Sequence, residues 1–286
     1  MNEPRLIPKL AGVCGWPIHH SLSPLLHSYW LRHSNIAGAY VPFAVQPDKA
    51  IESFKSLKKT SIVGVNVTLP LKRQAFLSAD THTSDAAKLG VANCLYKKGD
   101  KLIAHNTDLQ GFAVPLLKHV SPQKLAQSSV LVIGAGGASR AVIGGLLSLN
   151  VPEICLMNRT EAKAREMVKS VDVPSLYTRS WSERGEFVSR ADIIINATSA
   201  GMTGYPKLDL SLKNVRPECL VYDLIYTPKE TPLMKEAKSK GCEVLGGLDM
   251  LIEQARPSFK LFYGELPHEE ADPAETLYNA LKTGVR

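Results

Sequence analysis

The apolar run Ser129-Val130-Leu131-Val132-Ile133 passes without a break into Gly134-Ala135-Gly136-Gly137-Ala138-Ser139-Arg140, and a second apolar stretch follows to about Leu149. A buried strand that turns on glycines and re-enters as a helix constrains the chain more than any other segment, because only a few folds present that junction. Gly134 permits the tight turn. Gly136 lets a backbone approach a pyrophosphate. Gly137 and Ala138 open the helix, whose N-terminus offers free N–H groups and a positive dipole end to phosphates. Ser139 stands where a third glycine is usual, so the fingerprint is incomplete. Val130–Leu149 is long and apolar enough to raise the question of a membrane span. Arg140 near its centre and its glycines favour strand, turn and helix instead.

Similar apolar runs recur along the chain: Leu10–Val13, Ala39–Phe43, Gly64–Val67, Glu153–Met157, Asp192–Asn196, Leu220–Leu224 and Glu243–Leu245. Between them lie amphipathic segments at Pro24–Ser34, Pro47–Lys58, Glu161–Val171 and Pro232–Lys240. Continuous apolar strands alternating with helices predict an α/β fold built on parallel sheets. An expected helix over Leu109–Lys118 and the turn Ser121-Pro122-Gln123 precede the strand at Val130 and mark a boundary near residue 109. We therefore expect two α/β domains, with the cleft between them as the ligand site.

The strand after the glycine turn ends in Asn158-Arg159-Thr160. Enzymes that use NAD commonly place a carboxylate about 20 residues beyond the turn to hold the ribose 2′-hydroxyl. A carboxylate there would repel a 2′-phosphate. Arg159 would attract one, since a guanidinium pairs well with phosphate. These three residues also suit a helix start, with Thr160 as N-cap before Glu161. Both roles are expected, and the cofactor indicated is NADP.

The formal charge of +7 fits anionic ligands, but there is no Lys/Arg-rich run and no aromatic–basic interleaving, so nucleic acid is not expected as a partner. The five cysteines, Cys14, Cys94, Cys155, Cys219 and Cys242, are odd in number and contain no C-x-x-C pair, which argues against a disulfide framework and a zinc site. Reduced thiols and the lack of an apolar segment within the first ten residues point to the cytoplasm, with no secretory signal and no membrane partner. No H-E-x-x-H or Cys/His cluster is present, so no metal is expected.

The N-terminal half carries Ser21-Leu22-Ser23-Pro24, in which Ser23 reads as the cap and Pro24 as the first residue of a helix. Two hydroxyls at i, i+2 before a helix N-terminus also suit a carboxylate. Asn66-Val67-Thr68-Leu69-Pro70-Leu71-Lys72 reads as a strand ending in polar groups, with Lys72 near the strand end. Asn93 and Asn106-Thr107-Asp108 follow.

Taken in order, these segments resemble the shikimate dehydrogenase family nearly end to end. Further along, the resemblance includes Asn196-Ala197-Thr198-Ser199, Tyr226-Thr227-Pro228, Thr231-Pro232-Leu233, Gly246-Gly247-Leu248-Asp249-Met250-Leu251 and Gln254-Ala255. The resemblance implies an N-terminal substrate domain, residues 1–109 with 248–286, and a Rossmann-like NADP domain, residues 110–247. It implies that Ser21, Ser23 and Tyr226 hold a substrate carboxylate. It assigns the other substrate oxygens to Thr68, Asn93 and Gln254, and the catalytic pair to Lys72 and Asp108. Asn158, Arg159 and Thr160 would hold the phosphate end of NADP beside the turn at Gly134, Gly136, Gly137 and Ala138, with Gly247 and Met250 near the nicotinamide. Cys94 stands where the family commonly has Thr, and Leu109 where many members have Gly.

The activity implied is reversible, NADP-dependent reduction of 3-dehydroshikimate to shikimate, in the pathway to chorismate and the aromatic amino acids, by a monomer or homodimer. A lysine side chain is an ammonium at neutral pH and can supply the proton that an alkoxide needs after hydride transfer. A quinate/shikimate dehydrogenase with broader substrate or cofactor use is the nearest alternative, and Arg159 argues against NAD. A relative acting on a folate or an aminoacyl group would not need Ser21, Ser23 and Lys72. A non-catalytic shikimate-binding sensor would have no use for both Lys72 and Asp108.

Overall fold

The computed structural model describes residues 7–283; the first six residues, which form part of the segment read for a secretory signal, lie outside it. The elements run in order β1 (Lys9–Gly15), α1 (Ser23–His33), β2 (Gly38–Ala44), α2 (Ala50–Ser56), β3 (Ile62–Val67), α3 (Lys72–Ser78), β4 (Thr81–His82), α4 (Ser84–Leu89), β5 (Cys94–Lys98), β6 (Lys101–His105) and α5 (Asp108–His119). They continue with α6 (Pro122–Leu125), β7 (Ser129–Ile133), α7 (Gly137–Ser148), β8 (Glu153–Met157), α8 (Glu161–Val171), β9 (Leu176–Thr178), α9 (Arg184–Arg190), β10 (Ile193–Asn196), β11 (Leu220–Asp223), α10 (Pro232–Ser239), β12 (Glu243–Gly246), α11 (Gly247–Tyr263) and α12 (Ala274–Thr283). Two compact units result. One runs to Asp108 and resumes at Ile252; the other is Leu109–Leu251.

The second unit holds a six-stranded sheet in the order β12-β11-β10-β7-β8-β9, in which every pairing is parallel. Numbered from β7, this is the doubly wound order 3-2-1-4-5-6, which reverses between β7 and β10. Strands covered on both faces must be apolar throughout, and β7, β8 and β10 are buried over almost their whole length. Val130, Val132, Ile154, Leu156, Ile193 and Ile195 pack on one side with Phe112, Val142 and Leu146, and Leu131, Ile133, Cys155 and Ile194 pack on the other with Phe187, Leu212 and Leu233.

The sheet of the first unit is mixed, in the order β2-β1-β3-β5-β6-β4. β1 pairs in parallel with β2 and β3, whereas β5 is antiparallel to both β3 and β6. The expected α/β fold on parallel pairings is present, with an antiparallel hairpin added in this unit. β5 and β6 form a hairpin through Gly99, whose φ of 63° suits a tight turn. Their pairing register aligns Asn66 with Cys94 and Cys94 with His105. The C-terminal ends of β1, β3 and β6 and the start of β5 therefore meet at one edge of the sheet, the edge where open α/β sheets bind ligands. On the helical side, Trp30 donates its indole N–H to the Ala271 carbonyl at 3.0 Å and Tyr263 its hydroxyl to the Ala39 carbonyl at 3.0 Å, which ties the C-terminal segment to this unit.

Candidate active site

Lys72 begins α3 rather than ending a strand: β3 stops at Val67, and Thr68–Leu71 form a turn closed by a hydrogen bond from Leu71 N–H to the Thr68 carbonyl. The turn projects Lys72 over the same sheet edge, where its carbonyl accepts the Ala92 N–H. Its Nζ lies 2.7 Å from Asp108 Oδ2. Side-chain exposures of 15% for Lys72 and 9% for Asp108 leave the pair open to a small ligand but keep bulk water scarce.

Asp108 opens α5, and its position is set from several directions. Its N–H donates to Asn106 Oδ1 at 3.0 Å, and its Oδ1 accepts Asn93 Nδ2 at 2.8 Å. Asn93 in turn accepts the Thr107 N–H at 2.8 Å and donates to Thr107 Oγ1 at 2.9 Å and Gln254 Oε1 at 3.3 Å. Lys72, Asn93, Asp108 and Gln254 therefore form one hydrogen-bonded group from four separate parts of the chain. Such a group holds its members in geometry because each has a partner that would be left unsatisfied by movement.

Behind it lies a second layer. Tyr40 donates its hydroxyl to Asn66 Oδ1 at 2.8 Å, and Asn66 Nδ2 donates to Ser258 Oγ at 2.8 Å and to the Asn93 carbonyl at 3.2 Å. His27 stacks on Tyr40 at 3.9 Å with both ring nitrogens unpartnered, and burial pushes it down to about 3. It is a neutral packing ring and not a proton carrier at neutral pH. Burial also pushes the Cys94 thiol up to about 12, so it stays protonated.

Ser21 and Ser23 are joined by a 3.3 Å hydrogen bond from the Ser23 N–H to Ser21 Oγ. Leu22, not Ser23, occupies the N-cap of α1, and Ser23 is the buried first helical residue before Pro24. The capping role expected for Ser23 is therefore corrected. Thr68 sits at the end of β3, donates its N–H to the Cys14 carbonyl at 2.9 Å and is half-buried. The loops after β1 and β3 adjoin there, with the Trp16 N–H on the Leu69 carbonyl.

In the second unit Gly134 has φ of 109°, and a Cβ added to it would come within 2.6 Å of Thr198 Cγ2. Only glycine suits that turn. Ser139 fills the place of the third glycine for a local reason: it is buried, and its Oγ accepts the Gly136 N–H at 3.2 Å. Ala138 lies beside it in the first turn of α7, which begins at Gly137. Beside Gly136 there is open space.

Asn158 binds the turn to the next strand's loop, accepting the Ala135 N–H at 3.1 Å and donating to the Thr160 carbonyl at 2.9 Å. Thr160 occupies the N-cap of α8, as its place before Glu161 leads one to expect, although its side chain makes no capping hydrogen bond. Arg159 is exposed, and among the described residues it pairs with no carboxylate. A glycine cradle, a helix N-terminus and an unpaired guanidinium beside them fit a dinucleotide that carries an extra phosphate.

Tyr226 lies in the loop after β11, half-buried. That loop is organised by a residue for which sequence reasoning had no role. Asp223 is fully buried and, among the described residues, has no cation partner; it accepts the Ile225 N–H, Asn196 Nδ2 at 3.0 Å and the Thr231 hydroxyl at 2.7 Å. Burial pushes its carboxyl up to about 6. Gly247 packs so closely on this loop that a Cβ would sit 2.0 Å from the Leu224 carbonyl oxygen, and Met250 packs partly buried against the core beside β12. Asn66, Thr107 and Asn196 lay inside motifs visible in the sequence, and only the structure shows what they hold. Ser258 carried no signal at all.

Among the described residues no group of His, Cys, Asp and Glu is placed to hold a metal, and no helix is long and apolar enough to cross a membrane. All five cysteines are buried and unpaired.

Comparison with known proteins agrees with this geometry. Residues 13–95 match the shikimate dehydrogenase substrate binding domain, and residues 116–215 match the shikimate/quinate 5-dehydrogenase family. A shikimate dehydrogenase (NADP(+)) of Paracoccus denitrificans is 41% identical over 264 residues, covering 92% of this chain and 93% of the relative. Among solved structures, shikimate dehydrogenase from Aquifex aeolicus superposes with a TM-score of 0.83 at 31% identity, covering 98% of each chain. Shikimate 5-dehydrogenase from Thermus thermophilus in complex with NADP(H) and shikimate gives a TM-score of 0.82 at 29% identity, covering 97% of this chain and 100% of that one. With two α/β units, a doubly wound sheet and these relatives, the chain belongs to the shikimate dehydrogenase family.

Proposed function

We propose that the protein catalyses the reversible, NADP-dependent reduction of 3-dehydroshikimate to shikimate. The observation that carries this reading is the 2.7 Å pair of Lys72 and Asp108, held on its far side by Asn93. NADPH, when bound, supplies the hydride that adds to the ketone carbon. Lys72 then gives its proton to the alkoxide oxygen that hydride addition creates, so the ketone gains one hydride and one proton and leaves as the alcohol. In the oxidative direction the same proton returns from the substrate hydroxyl to Lys72. Asp108 keeps the ammonium aimed at that oxygen, a general acid–base arrangement with its base and its orienting group in hydrogen-bond contact.

The roles of the remaining residues are proposals on the same reading. Residues 1–109 with 248–286 bind substrate: Ser21 and Ser23 hold the carboxylate, and Thr68, Asn93 and Gln254 hold the other oxygens. Residues 110–247 bind NADP. Gly134, Gly136, Gly137 and Ala138 receive the pyrophosphate, Asn158 shapes the loop, and Arg159 and Thr160 hold the 2′-phosphate. Tyr226 contributes to the carboxylate site, and Gly247 and Met250 border the nicotinamide. The reading sets the enzyme in the cytoplasm, as a monomer or homodimer, with no nucleic-acid or membrane partner. Following NADPH absorbance with shikimate and with quinate, each with NADP and NAD, tests it. Shikimate with NADP should be the fastest combination, and a rate with quinate or NAD equal to it would overturn the assignment.

A further inference from the structure

Ser258 stands on α11 one turn beyond Gln254 and is fully buried. Its Oγ accepts Asn66 Nδ2 at 2.8 Å, a contact between residues 192 positions apart. On its other side Ser258 Oγ lies 3.4 Å from Thr107 Oγ1. Asn66 and Thr107 both bind Asn93, Asn66 through the Asn93 carbonyl, which also accepts the Val67 N–H at 2.8 Å, and Thr107 through both heteroatoms of the Asn93 side-chain amide. Asn93 then holds Asp108, and Asp108 holds Lys72. The Cys94 thiol, directly after Asn93 on β5, also faces Ser258, but a thiol is a weak hydrogen-bond partner. Among the described residues the shortest contact to the Ser258 hydroxyl is the 2.8 Å bond it accepts from Asn66; its bond to the Gln254 carbonyl, one turn back, is 3.4 Å.

We propose that Ser258 is a positioning residue for proton transfer: from the α11 side it fixes Asn66 and Thr107, and through them the Asn93 amide that seats Asp108 against Lys72. This rests on the reading of Lys72 and Asp108 as the proton-transfer pair. Removing the hydroxyl leaves the buried Asn66 amide short of an acceptor, and a buried donor in that state turns toward whatever acceptor is near. Among the described residues its other acceptor is the Asn93 carbonyl at 3.2 Å, which it shares with the Val67 N–H, so the displacement passes to the residue that holds Asp108. Ser23 meets this layer at Tyr40, on the Oδ1 side of Asn66, whereas Ser258 and Asn93 are on its Nδ2 side, so the loss should fall on turnover more than on substrate affinity.

The test is Ser258→Ala in the full chain, read by steady-state shikimate oxidation with NADP and by thermal unfolding. Because small misplacements of catalytic groups are costly, kcat should fall about tenfold while the shikimate KM stays within about threefold. Cys94→Thr added to Ser258→Ala brings a hydroxyl to the same buried point from β5, and should return kcat to within about threefold of the parent. Cys94→Thr alone should keep the parent kcat within about twofold. Should Ser258→Ala fail to fold, Ser258→Cys keeps the shape with a weaker acceptor and should give a kcat between parent and one-tenth of it. Two results would overturn the proposal: a kcat of Ser258→Ala within about twofold of the parent despite a lower Tm, or a double variant that regains Tm without kcat. A parent that does not oxidise shikimate overturns the dehydrogenase reading and this proposal together; an active parent beside an unaffected Ser258→Ala overturns this proposal alone.

Discussion

Asn93 donates its Nδ2 to Asp108 Oδ1 at 2.8 Å while Lys72 occupies Oδ2 at 2.7 Å, so both oxygens of one carboxylate are engaged and its plane is fixed. A carboxylate held on both oxygens cannot rotate away from the lysine when a ligand arrives. Preorganisation of this kind is what lets a proton donor act without reorganising during the reaction. Mutations around the pair are therefore expected to separate into those that alter chemistry and those that alter binding.

Cofactor choice is expected to depend on Arg159, which is exposed and pairs with no carboxylate among the described residues. Arg159→Ala should weaken NADP binding by about 10- to 100-fold, the range of a charge-assisted hydrogen bond, and leave NAD binding nearly unchanged. Titration of each cofactor by fluorescence or calorimetry measures this directly. Equal losses for both cofactors would mean that the arginine serves the loop and not the phosphate.

The serine pair should affect binding. Ser21→Ala is expected to raise the shikimate KM with Tm nearly unchanged, because among the described residues Ser21 Oγ accepts one long bond, 3.3 Å, from the Ser23 N–H. Ser23→Ala should also raise KM. It should not carry the ~1 kcal/mol cost of a lost helix cap, because Leu22 holds that position. The methyl ester of shikimate separates this account from a purely structural one, since an ester that binds as tightly as the acid would show that the hydroxyls do not read a carboxylate.

Asp223 predicts a pH dependence of stability. Its carboxyl is pushed up from 3.8 to about 6 by burial, so the folded protein holds this proton more tightly than the unfolded chain does. The sign follows: the contribution is full below the unfolded value and is lost as pH rises through about 6, in total about 3 kcal/mol by linkage. Asp223→Asn keeps acceptors for Asn196 and the Ile225 N–H and removes the titration. The difference in Tm, variant minus parent, should therefore grow in the variant's favour between pH 4.5 and pH 7. A difference that stays constant across that range would contradict the assignment.

The second unit was legible in the sequence because its strands are covered on both faces. β7, β8, β10 and β11 read as unbroken apolar runs, and the glycine turn marks where the first of them ends. The β5–β6 hairpin was not legible. Lys97, Lys98 and Lys101 crowd its turn, and its apolar pattern is too short to stand out. Lys72, Asp108, Asn93 and Gln254 were recognisable from motifs spread over the chain, yet nothing in their spacing showed that one asparagine joins them. Asp223 looked like one more strand end, and Ser258 like one polar residue in a helix. Both acquire meaning only from partners that tertiary packing brings close, Thr231 and Asn196 for the first and Asn66 for the second.

The central claim, that Lys72 moves the proton, is tested most directly by kcat for shikimate oxidation in Lys72→Met. The substitution keeps most of the side-chain bulk and removes the charge, so packing at the start of α3 is preserved while the acid–base group is lost. The account predicts a fall of about 10²- to 10⁴-fold in kcat, with KM and Tm little changed. Asp108→Asn should also be slow, and the two losses together should be less than their product, since the residues act as a unit. A Lys72→Met enzyme that oxidises shikimate within a few-fold of the parent rate would contradict the account.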